Sequence, residues 1–270
     1  MGDRTNSGPL VIIGGAEDKE NNCTVLREFV RLAGGTKARI AVFTAATSMP
    51  GEVADDYIRV FERLGVERVS IIHTEKREDG DRPAAVKDVQ QSTGIFFTGG
   101  DQARIIDFVK GTKVDIALRS RHAEGVVICG TSAGAAMMPD VMIVEGRSQI
   151  SPRVDVVEMG PGMGFLPGIV IDQHFAQRGR LGRLISALVQ QPANLGFGID
   201  EDTALIVDGN ELTVVGSGSV TVVDEVGATY NNLDNLLADE HLAVHGVTLH
   251  ILPAKFRFDL TTREPIAPQK

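Results

Sequence analysis

The chain has 270 residues, 43% of them hydrophobic and 23% charged, with a formal net charge of -9 and no tryptophan. That length suits one large α/β domain or two small ones, and the acidic balance excludes a protein whose main partner is nucleic acid or an anionic membrane, since both need clustered Lys and Arg. No stretch approaches the roughly 20 apolar residues that span a bilayer, and MGDRTNSGPL lacks a signal-peptide core, so a cytoplasmic protein is expected.

The runs LVIIGG (10–15), ARIAVFTAA (38–46), VERVSIIHT (66–74), GIFFTGG (94–100) and GVVICG (125–130) predict strands buried on both faces. Between the first two, CTVLREFVRLAGG (23–35) sets Val25, Phe29 and Leu32 on one helical stripe and stops at Gly34-Gly35. EVADDYIRVFERLGV (52–66) repeats the pattern with Tyr57, Phe61 and Leu64 inward. Such alternation predicts a mostly parallel sheet sandwiched by helices, with ligands gathered at the carboxyl ends of the strands. After residue 200, ALIVDGNELTVVGSGSVTVVD changes to short alternating runs divided by Asp208-Gly209 and Gly216-Ser217-Gly218, an antiparallel hairpin extension. No repeat, low-complexity tract or Pro-rich linker divides the chain, so residues 1–270 are read as a single α/β domain. Cys23 and Cys129 form no CxxC, which suggests neither a disulfide framework nor a zinc site. Cys129 is expected to pack at the end of its strand.

The sharpest feature is VVICGTSAGAAMM (126–138), in which Ser132 stands between Gly130 and Gly134. A nucleophilic serine on a sharp strand-to-helix turn crowds the positions two residues either side, hence Gly-x-Ser-x-Gly. The same five residues also suit a small turn that packs a helix against a sheet, but the strand before and the helix start after favour the nucleophile, with the helix's positive end under the oxyanion. Serine needs an adjacent base. Of six histidines, His174 is singled out because GIVIDQHF (168–175) places it after an apolar run, at a strand end on the edge where the serine emerges. His73, His122, His241, His245 and His250 read as surface or packed residues. A carboxylate must orient the base, and LGFGIDEDTAL (195–205) offers Asp200, Glu201 and Asp202, between which spacing does not choose; three adjacent acids also make an ordinary solvated turn.

GTSAGA (130–135), TGGDQ (98–102), DQHF (172–175), GIDEDTA (198–204) and GGAEDK (14–19) together resemble the cyanophycinases, serine peptidases related to peptidase E, and the resemblance runs in order over essentially the whole chain. It implies a flavodoxin-like fold of the class I glutamine amidotransferase type and a Ser-His-Glu triad on Ser132, His174 and Glu201. It implies an exopeptidase acting through an acyl-enzyme on cyanophycin, a poly-aspartate with arginine on its side-chain carboxylates, releasing β-Asp-Arg, with no metal or cofactor and a homodimeric assembly. Within that reading, the oxyanion falls to the amide of Ala133 and one from Gly99 or Gly100. Arg178, Arg180 and Arg183 form a local basic cluster for the substrate's α-carboxylate, although on spacing alone they also suit surface salt bridges. Gln102, Asp172 and Gln173 would orient substrate polar groups, with Asp172 as partner to a guanidinium. DVMIVEGRSQISPRVDVVEMG (140–160) departs from the family pattern, and there Arg153, Asp155 and Glu158 are candidates to replace pocket contacts. GGAEDK lacks both GxGxxG and GK[ST] and is given a structural role. A peptidase E-like aspartyl or isoaspartyl dipeptidase and a non-catalytic peptide or carbohydrate binder are the alternatives.

Overall fold

The computed structural model describes residues 7–148, 151–191, 195–236 and 240–268. In chain order it comprises β1 (Leu10–Ile13), α1 (Thr24–Leu32), β2 (Arg39–Phe43), α2 (Pro50–Arg63), β3 (Arg68–Ile72), α3 (Pro83–Gln91), β4 (Gly94–Phe97), α4 (Gln102–Val109), α5 (Lys113–Ala123), β5 (Val127–Thr131) and α6 (Ala133–Ala136). There follow β6 (Val141–Gly146), β7 (Val157–Pro161), β8 (Ile169–Gln173), α7 (Leu181–Gln190), β9 (Leu195–Ile199), β10 (Thr203–Asp208), β11 (Glu211–Gly216) and β12 (Ser219–Asp224). The chain ends with β13 (Tyr230–Asn231), β14 (Val244–His245), β15 (Thr248–Pro253), β16 (Arg257–Asp259) and β17 (Glu264–Ile266).

The central sheet has nine strands in the order β17-β16-β11-β10-β1-β5-β4-β2-β3. Its β1-β5-β4-β2-β3 half is parallel and the β10-β11-β16-β17 half antiparallel, in keeping with the α/β reading and its hairpin extension. Successive side chains of a strand point to opposite faces, and both faces here are covered. Leu10 and Ile12 of β1 join one core, whereas Val11 and Ile13 join a second one formed with Phe29 of α1 and Tyr57 and Phe61 of α2. A run with no polar alternation is what such double burial requires. The exception is β3, an edge strand whose residues 68–71 are only partly covered.

β8 does not extend the central sheet: it belongs to a separate four-stranded sheet, β15-β12-β9-β8, parallel to β9. The two sheets meet where β9 leads directly into β10. Because β10 runs antiparallel to β1, the turn at 200–202 arrives at the same edge where β1, β4 and β5 end. The amide of His174 closes the junction by donating to Gly14 O at 2.8 Å, and that of Phe175 donates to Ile199 O at 3.1 Å.

Candidate active site

Ser132 follows β5 with φ 53° and ψ -110°, a backbone region that β-carbon-bearing residues seldom occupy. The flanking glycines explain how the turn closes: a β-carbon on Gly130 would strike the carbonyl of Gly134, and one on Gly134 would strike the carbonyl of Phe97. His174 and Asp202 also sit at positive φ, 48° and 47°. Backbone strain of this kind costs on the order of 1–3 kcal/mol per residue and collects where geometry matters to function.

The hydroxyl of Ser132 lies 3.0 Å from Nε2 of His174, and Nδ1 of His174 lies 2.7 Å from Oε1 of Glu201. A carboxylate only accepts, so Nδ1 carries the proton and Nε2 presents a lone pair to the serine hydroxyl. Gly15 lies against the imidazole, where any β-carbon would occupy the ring's space. The three acids that spacing left open divide by position. Asp200 accepts from the amides of Ala176 and Ser219, and Asp202 accepts from the amide of Asp18 and the hydroxyl of Ser217, so both tie loops together. Glu201 alone of the three contacts the histidine, and its own amide donates to Oε1 of Gln177.

Burial lowers the His174 pKa, and the neighbouring Arg178 and Arg180 charges add to the shift against the opposing hydrogen bond to Glu201. The imidazole is therefore neutral and able to accept a proton at neutral pH. With His174 as base, kcat/KM falls only on the acid side, with its midpoint below the usual imidazole value near 6.5. Arg178→Gln, which removes a cation, moves that limb to higher pH. A wild-type midpoint above about 7 in a pH-rate profile would contradict the assignment.

Two features bear on the oxyanion. Among the described residues, the N–H groups of Ala133, Gly99 and Gly100 have no backbone acceptor. Gly99 packs against Ser132, whereas Gly100 is turned onto the carbonyl of Ala46. The helix after the serine is one turn, Ala133–Ala136, and Pro139 follows closely and disfavours helical geometry before it. A four-residue helix carries little macrodipole.

The polar residues around the triad are arranged differently from the expectation. Asp172 is 1% exposed, and its carboxylate accepts from Nε of Arg183 at 2.9 Å, from a second Arg183 nitrogen and from Arg180 at 3.4 Å. It is thus occupied by the protein's own guanidinium groups rather than presented to a ligand. Arg183 also donates to Gly146 O at 2.9 Å, and Arg180 donates to Oε1 of Gln173 at 2.9 Å. Burial pushes the Arg180 pKa down to about 10. The three arginines therefore do not form one substrate-facing cluster: Arg180 and Arg183 are buried, and Arg178 is exposed. Gln102 donates its amide to the carbonyls of Ile143 and Val144, bracing β6. In the 140–160 segment, Asp155 pairs with Arg147 and Arg153 beside a cleft of about 320 Å³ that Glu158 also lines.

The GGAEDK loop, given only a structural role from its sequence, packs directly beside the serine. Glu17 is buried and accepts from the hydroxyls of Tyr57 at 2.5 Å and Thr131 at 2.6 Å, directly before the serine. Desolvation raises the pKa values of Tyr57 and Cys129 there, with the Glu17 charge adding to each. Lys19 sits 3.7 Å from Glu17 and 4.4 Å over the Tyr57 ring. Ala16, Glu17, Lys19, Asp56, Gly99 and Ser132 line a cleft of about 230 Å³. The legible signal was the pairing of an acid and a base beside two glycines at a strand end.

The sequence pattern of peptidase family S51 matches residues 10–215. A cyanophycinase of Nostoc sp. is 41% identical over 256 residues, covering 94% of this chain and 86% of that protein. A cyanophycinase of Geminocystis herdmanii is 38% identical, with 96% of both chains covered. Among solved structures, a peptidase from an acI-B1 Actinobacterium has a similar fold, with a TM-score of 0.67 at 20% identity and 98% of each chain covered. A putative peptidase E protein from Listeria monocytogenes gives a TM-score of 0.56 at 14% identity, covering 78% of this chain and 100% of that one.

Proposed function

Because the chain belongs to peptidase family S51, the serine peptidases to which its cyanophycinase relatives give a substrate, we propose that it hydrolyses cyanophycin to β-Asp-Arg dipeptides. The hydrogen-bonded sequence Ser132–His174–Glu201 is the observation that carries the reading. In the reaction, Oγ of Ser132 attacks the aspartyl backbone carbonyl as Nε2 of His174 takes its proton. The amides of Ala133 and Gly99 stabilise the resulting oxyanion. His174 then protonates the leaving amine, which departs and leaves an acyl-serine. Water, deprotonated by the same imidazole, attacks that ester; the tetrahedral adduct collapses, and the proton returns to Ser132. Glu201 holds the imidazole in the required tautomer and stabilises its cation. Arg178, exposed beside His174, is the arginine best supported as a contact for a substrate carboxylate.

The reading is tested by mass spectrometry of products after incubation of the purified protein with insoluble cyanophycin and, separately, with Asp-Xaa dipeptides. Release of β-Asp-Arg with clearing of the polymer is expected. Cleavage of the dipeptides with the polymer untouched would overturn it in favour of a peptidase E-like activity.

The same reading includes a cytoplasmic location and a homodimer. Among the described residues no helix is long and apolar enough to cross a membrane. Leu249 and Ile251, exposed on the edge strand β15, are consistent with pairing between copies; light scattering that gives a monomer mass would remove the dimer.

A further inference from the structure

The cleft at Ser132 does not end at the triad. Lys19 and Asp56 line both that cleft and a second one of about 390 Å³, which continues past Arg59 and Glu20 to Arg63. One wall is the outer face of α2, where Asp56, Arg59 and Arg63 stand at i, i+3 and i+7 and so share a side of the helix. Charges of both signs line it: Arg59 pairs with Asp56 along the α2 wall, Arg63 of that wall faces Glu20 on the opposite loop, and the neighbouring Lys19 pairs with Glu17. Asp56 is about half exposed, and the Arg59 and Glu20 side chains are 74% and 87% exposed. Pairs of this kind contribute little to stability and exchange partners readily.

We propose that this groove binds the uncleaved part of a polypeptide whose repeating branches each carry a carboxylate and a guanidinium. The inference rests on the cyanophycin reading and extends it from the scissile bond to the polymer. A zwitterionic branch matches a surface that offers a cation and an anion at each step, whereas a uniformly charged peptide meets repulsion at every second contact. Spacing agrees: an extended chain rises about 3.3 Å per residue, so branches on one side recur every ~6.6 Å. Helical residues four apart, such as Arg59 and Arg63, are separated by about 6 Å along the axis. Successive weak contacts along one chain then add as linked binding events.

The test measures binding of oligomers of two, four and six β-Asp-Arg units to Ser132→Ala by calorimetry. It is repeated in the double exchange Asp56→Arg with Arg59→Asp, which keeps the net charge and the i,i+3 pair but reverses their order. Affinity is expected to rise roughly tenfold from two to six units in Ser132→Ala, and the rise to shrink to less than about threefold after the exchange. Circular dichroism checks that α2 is retained. No gain with length, or a gain that survives the exchange, overturns the groove. Hydrolysis of the two-unit oligomer by the wild-type protein is scored separately, so loss of the cyanophycin reading appears as absent product and loss of the groove as absent length dependence.

Discussion

Ser132→Ala is expected to lower the rate of hydrolysis by about 10³- to 10⁶-fold while leaving the fold intact. The size of the loss follows from the chemistry: without the hydroxyl no acyl-enzyme forms, and what remains is attack by water assisted by His174 and the amides of Ala133 and Gly99. Intactness follows from the geometry. The Oγ atom is bound to His174 alone among the described residues and opens on the cleft, so water can replace it. Alanine keeps the β-carbon, leaving the packing against Gly99 unchanged, and at φ 53° it is strained as serine is. A substitution that opens no cavity and leaves no buried polar group without a partner stays within about 0.5 kcal/mol, or roughly 2 °C in Tm for a chain of this size. Initial rates of dipeptide release together with a thermal melt provide the check. Residual turnover above a tenth of wild type, in a protein that melts normally, would remove Ser132 from the mechanism.

The parallel half of the sheet and the serine turn were legible because both are local: a strand buried on two faces reads as an unbroken apolar run, and the elbow's crowding dictates glycine at Gly130 and Gly134. The sheet to which β8 belongs was not legible, since IVIDQ looks the same in either sheet and strand order is a non-local property. The choice among Asp200, Glu201 and Asp202 came from the resemblance; the structure then gives Asp200 and Asp202 separate work in holding the loops. Arg178, Arg180 and Arg183 look equivalent in a linear reading. They separate once α7 is placed, because Arg183 then lies near Leu184, Ala187 and Leu188 in a helix that is mostly buried. An arginine on a buried stripe demands an acid, and Asp172, at the end of the fully buried strand β8, is the residue that answers it.

That buried pair carries the second large effect. Asp172→Ala is expected to destabilise the protein by about 3–5 kcal/mol, because it leaves the Arg183 guanidinium, and part of that of Arg180, desolvated and without a counter-charge. Against a total stability of roughly 5–15 kcal/mol this is a substantial fraction, and it should lower Tm by on the order of 10 °C. Activity falls as well, since Asp172 precedes Gln173 and His174 and accepts the Gln173 amide at 2.8 Å. Lost activity therefore does not distinguish a structural carboxylate from one that grips substrate; stability without substrate does. Removing both charges separates the terms further. Asp172→Ala combined with Arg183→Met replaces an unpaired buried cation by an apolar side chain of similar length, so part of the loss is recovered, as is typical when both partners of a buried pair are exchanged. If Asp172→Ala instead melts like wild type and shows only a raised KM, the carboxylate is a substrate contact and the ion pair with Arg183 is dispensable to the fold.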